Sequence, residues 1–108
     1  MDEFNKKRIE LNNLLSEQDH FFTEFGLLDD QAYSDGAIPK VYKELTGLSI
    51  SVFSKCEECI YYHLQNCVDQ KATKAQIIEA IKLGVIGAGS TSYPWARKAI
   101  AYYIEHYS

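Results

Sequence analysis

The sequence predicts an all-α fold, a bundle of about five or six helices. Two observations indicate this class: apolar residues recur at the helical period in almost every segment, and helix-start signals precede several of these stretches. The chain has 108 residues, of which 46% are hydrophobic. That content is enough for one hydrophobic core but not for two, so we predict a single domain over residues 1–108.

The N-terminal segment, residues 1–35, is predicted to contain one or two helices. Its apolar positions at helical spacing are Leu11, Leu14, Leu15, Phe21, Phe22 and Phe25. We expect the helical part to end near Gly26, because glycine is a helix breaker and turn-forming residues follow it. The residues that predict this loop are Asp29, Asp30, Asp35 and Gly36.

The central part of the chain contains two amphipathic stretches. The first helix is predicted to open at Pro39, a residue type favoured at helix starts, and it carries Glu44. Its apolar stripe consists of Val41, Leu45, Leu48 and Val52. The next stretch repeats the period with Ile60, Leu64, Cys67 and Val68.

Two further helices are predicted in the last third of the chain. Thr73 and Gln76 have the spacing of a capping box, which marks a helix start. The apolar face of this helix consists of Ile77, Ile78, Ile81, Val85 and Ala88. Gly87, Gly89 and Pro94 separate it from a closing helix. The closing helix carries Trp95, Ala99, Tyr102, Tyr103 and Ile104, a bulky face for so small a domain.

Charge and composition exclude several classes of function. The formal net charge is -4, with 11 basic and 15 acidic side chains and no basic stripe, so we expect no nucleic-acid partner. The apolar runs are far shorter than the roughly 20 residues needed to span a bilayer, and the N-terminus does not resemble a secretion signal. We therefore predict a soluble, cytoplasmic protein without a membrane partner, in which three cysteines do not form a static disulfide framework.

The most informative motif is Cys56-x-x-Cys59, followed by His63 one helical turn later and preceded by Glu44. Offsets of 0, 3, 7 and 11 place Cys56, Cys59, His63 and Cys67 on one face of a helix. A single zinc ion cannot bind all four, because Cys56 and Cys67 would lie roughly 16 Å apart along the axis. With no second ligand pair in the sequence, we predict neither a metal nor a cofactor.

Redox chemistry fits the same spacing. Cysteines at i and i+3 in the first turn of a helix have Cα atoms about 5–6 Å apart, within the range that a disulfide needs. The positive end of the helix dipole and the cation of Lys55 favour a thiolate there, whereas Glu57 and Glu58 oppose it.

His63 and Glu44 complete the predicted site. His63, four residues after Cys59, is placed to accept a thiol proton, and Glu44 could orient the imidazole or pass the proton to water. Cys67 continues the apolar stripe, so we expect it to pack in the core rather than take part in redox chemistry. His20 and His106 are predicted to be surface residues.

The pattern from Glu44 through Cys56 and Cys59 to His63 resembles the E-x11-C-x-x-C-x3-H motif of the alkyl hydroperoxidase D (AhpD)-like branch of the carboxymuconolactone decarboxylase family. The similarity includes the run Cys56-Glu57-Glu58-Cys59-Ile60-Tyr61-Tyr62-His63 and the run 73–80, and it covers about residues 40–105. The resemblance implies an all-α fold assembled as a trimer or hexamer.

The resemblance also implies roles for the four residues. Cys59 would attack a small peroxide substrate, Cys56 would resolve the product as a disulfide, and His63 and Glu44 would supply the proton relay. A dihydrolipoyl carrier protein or another thiol reductant would restore the dithiol. The decarboxylase branch of the family generally lacks the cysteine pair.

Three functions therefore follow from the sequence. The first is a thiol-dependent antioxidant oxidoreductase, acting as a peroxidase or a disulfide reductase. The second is a non-catalytic oligomeric redox sensor or scaffold, which the carboxylate of Glu58 favours because it opposes thiolate formation. The third is a lyase of the carboxymuconolactone decarboxylase type.

Overall fold

The structure, a computed structural model, describes residues 2–107. This part of the chain forms six α-helices, one short 3₁₀ helix and no strand, which confirms the predicted all-α class. The helices are α1 (Glu3–Gln18), α2 (His20–Ala32), α3 (Lys40–Phe53), α4 (Glu57–Asp69), α5 (Lys74–Ala88) and α6 (Tyr93–Tyr107), with the 3₁₀ helix at Ser90–Ser92. Within residues 2–107, no helix has the length and apolar content needed to span a bilayer.

The chain divides into two compact units, Met1–Ser34 and Asp35–Ser108, and the single-domain organisation stays a prediction. The first unit holds α1 and α2. Asp19 joins them: it ends α1, and its side chain accepts a hydrogen bond from the backbone N–H of Phe21 at 2.8 Å at the start of α2.

The predicted helix end near Gly26 is wrong, because α2 continues through this glycine to Ala32. Asp29 and Asp30, expected in a loop, lie in the last turns of the helix. A glycine inside a helix costs only about 1 kcal/mol relative to alanine, so apolar neighbours at helical spacing outweigh it. The helix ends at Tyr33 instead, whose N–H donates to the carbonyl of Asp29 at 3.1 Å.

The second unit contains the hydrophobic core, in which α3 packs against α4 and α5, and α4 packs against α6. Whereas Ile104 of the closing helix is 52% exposed, most residues of the apolar stripes predicted in this unit lie in or against this core. Its buried members are Leu48, Val52, Ile60, Leu64, Cys67, Ile77, Ala80, Ile81, Ala99 and Tyr103. The capping box that starts α5 is also present, since the Thr73 hydroxyl accepts from the N–H of Gln76 and the Gln76 side chain accepts from the N–H of Thr73.

Helices α3 and α5 approach each other closely at Gly84. A Cβ atom at this position would lie 2.6 Å from the carbonyl oxygen of Ser49 and 2.8 Å from Cβ of Val52. The hydroxyl of Ser49 also donates to the carbonyl of Ala80 at 2.7 Å, so a polar contact holds the same crossing. The hydrogen atom of glycine therefore sets the distance between the two helices.

We expect Gly84→Ala to destabilise the protein although alanine is the better helix former. The added methyl group meets backbone, which cannot rotate away, and overpacking of this kind costs about 1–3 kcal/mol, more than the roughly 1 kcal/mol gained from helix propensity. Urea unfolding followed by circular dichroism measures the change.

Gly26→Ala is the matched control, because Gly26 also lies within a helix but has nothing within 4 Å of an added Cβ. We expect it to leave stability unchanged or to raise it by up to about 1 kcal/mol. Equal stabilisation by both substitutions would contradict the close crossing at Gly84.

Candidate active site

The cysteine pair lies at the N-terminus of α4, where Cys56 and Cys59 form a disulfide with a Cα–Cα distance of 5.3 Å. The sequence predicted both cysteines in the first turn, but Cys56 is the N-cap residue and the helix begins at Glu57. The backbone N–H of Cys59 donates to Sγ of Cys56 at 3.4 Å. Cys59 is exposed and Cys56 is half-buried, so the sulfur predicted to attack is the more accessible one.

The link between α3 and α4 places this N-terminus. Lys55 adopts a left-handed conformation with φ of 59°. The N–H of Cys56 donates to the carbonyl of Ser51 at 3.0 Å, which attaches the start of α4 to the end of α3. The dithiol is therefore held by backbone contacts to α3, the helix that also carries Glu44.

The structure brings His63 and Glu44 together, as their spacing predicted. Nδ1 of His63 lies 2.8 Å from Oε1 of Glu44, and both residues are buried, with Glu44 only 1% exposed. They come from different helices and are 19 positions apart in sequence. Only the packing of α3 against α4 brings them into hydrogen-bond distance.

Two further side chains satisfy the buried carboxylate. Nζ of Lys40 donates to Oε2 of Glu44 at 2.8 Å, and Nδ2 of Asn66 donates to Oε1 at 3.2 Å. Burial by itself raises the pKa of Glu44, but the hydrogen bonds and charges of His63 and Lys40 outweigh this effect and hold the pKa below its usual range. Glu44 is therefore ionised at neutral pH.

An ionised carboxylate only accepts hydrogen bonds, so the proton of the contact with Glu44 belongs to Nδ1 of His63. In a neutral imidazole with its proton on Nδ1, the lone pair is on Nε2, and this nitrogen can act as a base. Of the two roles considered for Glu44, the geometry favours orientation of the imidazole, because both carboxylate oxygens accept hydrogen bonds from side chains and the residue is almost fully buried.

Gly47, one turn after Glu44 on α3, provides the surface on which the His63 ring packs. A Cβ atom at this position would lie 2.6 Å from Cε1 and 2.7 Å from Nδ1 of His63. Contacts this short do not occur between real side chains, so any larger residue would displace the ring. The ring is thus positioned by a hydrogen bond on one atom and by close packing along its face.

The acidic residues beside the cysteines are not equivalent. The carboxylate of Glu57 accepts hydrogen bonds from the hydroxyl of Tyr61 and from Nζ of Lys98 on α6. These two contacts hold the pKa of Glu57 below its usual range, and Lys98 balances its charge. Glu58, which is exposed, stays the residue expected to oppose a thiolate at Cys59.

Cys67 lies in the core, as predicted. Its side chain is fully buried, and burial together with the charge of Glu44 raises the pKa of its thiol to about 12. At neutral pH it is therefore a neutral thiol without access to solvent. His20 and His106 are both exposed.

A separate cavity lies away from the cysteines. It is a groove of about 570 Å³ between α5 and α6, and none of the predicted site residues lines it. Its lining is mostly apolar and includes Ile78, Val85, Ile86 and Ile100, with Lys82 and Arg97 among them. The Cys56–Cys59 disulfide thus lies at the start of α4 and outside this groove.

Sequence reasoning missed three members of the site: Lys40, Gly47 and Asn66. Lys40 lies four residues before Glu44, the spacing at which side chains on one helix meet, so this ion pair had a detectable signal. Asn66 lies three residues after His63 and shares its face of α4. Gly47 had no such signal, because a close approach between helices is not visible in the sequence.

A protein-family profile matches most of this chain, including all four residues of the predicted site. A profile of the carboxymuconolactone decarboxylase family matches residues 19–102. The match begins earlier than the 40–105 region on which the sequence resemblance was based, so it includes α2.

Two solved structures share the fold over almost the whole chain. One is a carboxymuconolactone decarboxylase family protein of Thermotoga maritima for which involvement in the antioxidative response has been suggested: it has 34% identity, a TM-score of 0.91, and the alignment covers 96% of this chain and 89% of that one. The other is the apo form of a carboxymuconolactone decarboxylase family protein of Legionella pneumophila, with 28% identity, full coverage of both chains and a TM-score of 0.86.

Two curated relatives are themselves uncharacterized. A Cupriavidus necator protein is 29% identical over 72 residues, which are 67% of this chain and 64% of that protein. Uncharacterized protein 4 in the cox locus of Paracoccus denitrificans is 31% identical over 77 residues, 71% of this chain and 69% of that protein. The extent of the profile match and the similarity to the solved structures show that this chain belongs to the carboxymuconolactone decarboxylase family, and its cysteine, histidine and glutamate pattern is consistent with the AhpD-like branch.

Proposed function

We propose that this chain is a thiol-dependent antioxidant oxidoreductase, a peroxidase or disulfide reductase that uses the Cys56–Cys59 pair. One observation supports the proposal most strongly: a disulfide at the start of α4 lies one turn from an imidazole whose Nδ1 is held 2.8 Å from a buried carboxylate. The suggested antioxidative involvement of the Thermotoga maritima relative supports the same chemistry.

The reaction begins with the reduced dithiol. Nε2 of His63 accepts the proton of the Cys59 thiol, and the thiolate attacks the terminal oxygen of a small hydroperoxide. The O–O bond breaks, Cys59 becomes a sulfenic acid, and the leaving alkoxide takes a proton to form the alcohol. The thiol of Cys56 then attacks the sulfenic sulfur, which releases water and forms the disulfide.

A second dithiol completes the cycle. Its thiolate attacks the disulfide, a mixed disulfide forms, and its second thiol releases the reduced protein. A dihydrolipoyl group is suited to this role because its two thiols lie on one chain and form a cyclic disulfide when they are oxidised. We propose a dihydrolipoyl carrier protein or a comparable small dithiol as the partner.

We also propose that the protein acts as a homo-oligomer, either a trimer or a hexamer. Several large apolar side chains of the second unit are exposed in the isolated chain, with Ile86 reaching 82% exposure. Ile50, Phe53, Leu83 and Ile104 are further examples. Apolar surface of this extent is typical of an interface.

A redox sensor is the second candidate, favoured by the exposure of both Cys59 and its acidic neighbour Glu58. A sensor would oxidise once per chain without turnover. A lyase of the decarboxylase type would not need the cysteines at all. The sensor differs from the peroxidase in its lack of turnover, and the lyase differs from both in its independence of the cysteines.

We expect Cys59→Ser to reduce peroxide turnover to background, because serine cannot form the thiolate that attacks the peroxide. The assay follows consumption of a small alkyl hydroperoxide by the reduced protein with dihydrolipoamide as the reductant, and free thiols are counted before and after. Wild-type protein should consume many equivalents of peroxide per chain.

Cys67→Ala is the matched control, since it removes the buried cysteine and should leave turnover intact. Turnover that survives Cys59→Ser would contradict the proposal. Oxidation of one equivalent of peroxide without turnover would indicate the sensor, and a lyase activity that survives loss of both Cys56 and Cys59 would indicate the third function.

We expect Gly47→Ala to slow the reaction of Cys59 with peroxide by roughly 10- to 100-fold, because the added methyl group displaces the imidazole that accepts the thiol proton. Stopped-flow measurement of the first oxidation, with reduced protein in a single turnover, isolates this step.

Gly84→Ala serves as the control for destabilisation, because its added methyl group meets α3 away from the imidazole. It should lower stability and leave the rate of the first oxidation near that of the wild type. Equal rates for Gly47→Ala and wild type would show that the position of the ring has no influence on the thiol.

A further inference from the structure

Lys40 is a partly exposed side chain in direct contact with the buried carboxylate of Glu44. Its side chain is 30% exposed, whereas the Glu44 carboxylate that it contacts at 2.8 Å is 1% exposed. The contact occupies Oε2, while Oε1 accepts from His63 and Asn66. An ammonium, a carboxylate and an imidazole thus form a continuous line of contacts from the surface to the His63 ring.

The setting of this ion pair differs from that of an ordinary surface pair. Exposed lysine–glutamate pairs four residues apart contribute little to stability, because water screens both charges. Here the carboxylate is buried, and burial of a carboxylate without a cation favours its protonated form. The charge of Lys40 therefore acts mainly on the protonation of Glu44.

The groups that face Glu44 come from two helices. On its own helix, α3, the contact is with Lys40, and on α4 it is with His63 and Asn66. The thiol of Cys67, also on α4, is near enough for the charge of Glu44 to help raise its pKa. Asn66 carries no charge, Cys67 is a neutral thiol, and His63 is charged only when protonated. Lys40 is thus the cation that faces Glu44 whichever protonation state His63 has.

We propose that Lys40 is a positioning residue that keeps Glu44 ionised and thereby holds His63 in the form with its proton on Nδ1 and its lone pair on Nε2. This inference deepens the proposed function and rests on it, because the lone pair on Nε2 is the group that accepts the thiol proton. The role assigned to Lys40 is exerted through Glu44 and not through contact with the sulfur or the peroxide.

Loss of the cation would favour uptake of one proton from solvent by the Glu44–His63 pair, and this proton would neutralise Glu44. A neutral Glu44 has a hydroxyl group that can donate to Nδ1 of His63. Nδ1 then carries the lone pair, and the proton of the neutral imidazole moves to Nε2. In this form Nε2 is a donor and cannot accept a proton from Cys59, so formation of the thiolate slows.

The test is nitrogen-15 NMR of the imidazole rings in uniformly labelled, oxidised protein, recorded from pH 4 to pH 9. The ring nitrogen shifts distinguish a protonated nitrogen from one with a lone pair. The variants are Lys40→Met, which removes the charge, and Lys40→Arg, which retains it. Lys74→Met is the matched control, because Lys74 is the first residue of α5 as Lys40 is of α3.

The wild type should show the proton on Nδ1 of His63 at neutral pH. Removal of the cation raises the pKa of Glu44, so in Lys40→Met this form should be lost at a pH about 1–3 units higher than in the wild type. Lys40→Arg should restore the wild-type profile, and Lys74→Met should not change it. His20 and His106 provide internal references, since both are exposed.

Two results would overturn the inference: a wild-type protein with the proton on Nε2, or a Lys40→Met profile equal to that of the wild type. If Lys40→Met does not fold, as judged by circular dichroism, Lys40→Gln replaces it, because the amide keeps a donor but not the charge. A Lys40→Gln profile equal to that of the wild type would then overturn the inference.

The pH dependence of the first oxidation of Cys59 separates this inference from the proposed function. Absence of wild-type turnover would contradict the proposed function, while the NMR profiles would still decide whether Lys40 sets the form of His63. Wild-type turnover with an unchanged pH profile in Lys40→Met would contradict the role of Lys40 alone.

Discussion

The arrangement of the site depends on one constraint, the burial of the Glu44 carboxylate between α3 and α4. A buried carboxylate is expensive unless charged and polar groups satisfy its oxygens. Lys40, His63 and Asn66 satisfy them here, with donors within 2.8–3.2 Å. Because these donors come from both helices, the same contacts that stabilise the charge also fix the position of α4 relative to α3.

This constraint separates two electrostatic environments along α4. At the N-terminus, the sulfurs of Cys56 and Cys59 lie near the unpaired backbone N–H groups of the first turn, which favour a thiolate. One turn later, His63 lies between this end and the buried carboxylate. The contacts of Glu57 with Lys98 and Tyr61 engage one of the two adjacent carboxylates. The thiols thus remain accessible to solvent while the group that would accept their proton is buried.

The same helix shows how position determines the chemistry of a cysteine. Cys59 is exposed at the start of α4, whereas Cys67, two turns after Cys59 on the same face, is enclosed by the core and has a pKa raised to about 12. Both are cysteines on one stripe of one helix. Burial rather than sequence neighbourhood excludes Cys67 from redox chemistry, in agreement with its prediction as a core residue.

The all-α class, the capping box at Thr73 and the placement of the cysteines at the start of a helix could be predicted from the sequence, because each depends on helical period or local hydrogen bonds. The contact of His63 with Glu44 needed in addition the packing of α3 against α4, because the two residues lie on different helices. The predicted end of α2 near Gly26 was wrong, because a glycine and two aspartates are weak helix-ending signals within an apolar helical pattern. Three further contacts depend on how the helices pack: Gly47 supports the His63 ring, Asn66 shares Oε1 of Glu44 with that ring, and Glu57 pairs with Lys98. These contacts join residues far apart in the chain, and their formation depends on the distances and side-chain rotamers at helix crossings, which residue spacing does not specify.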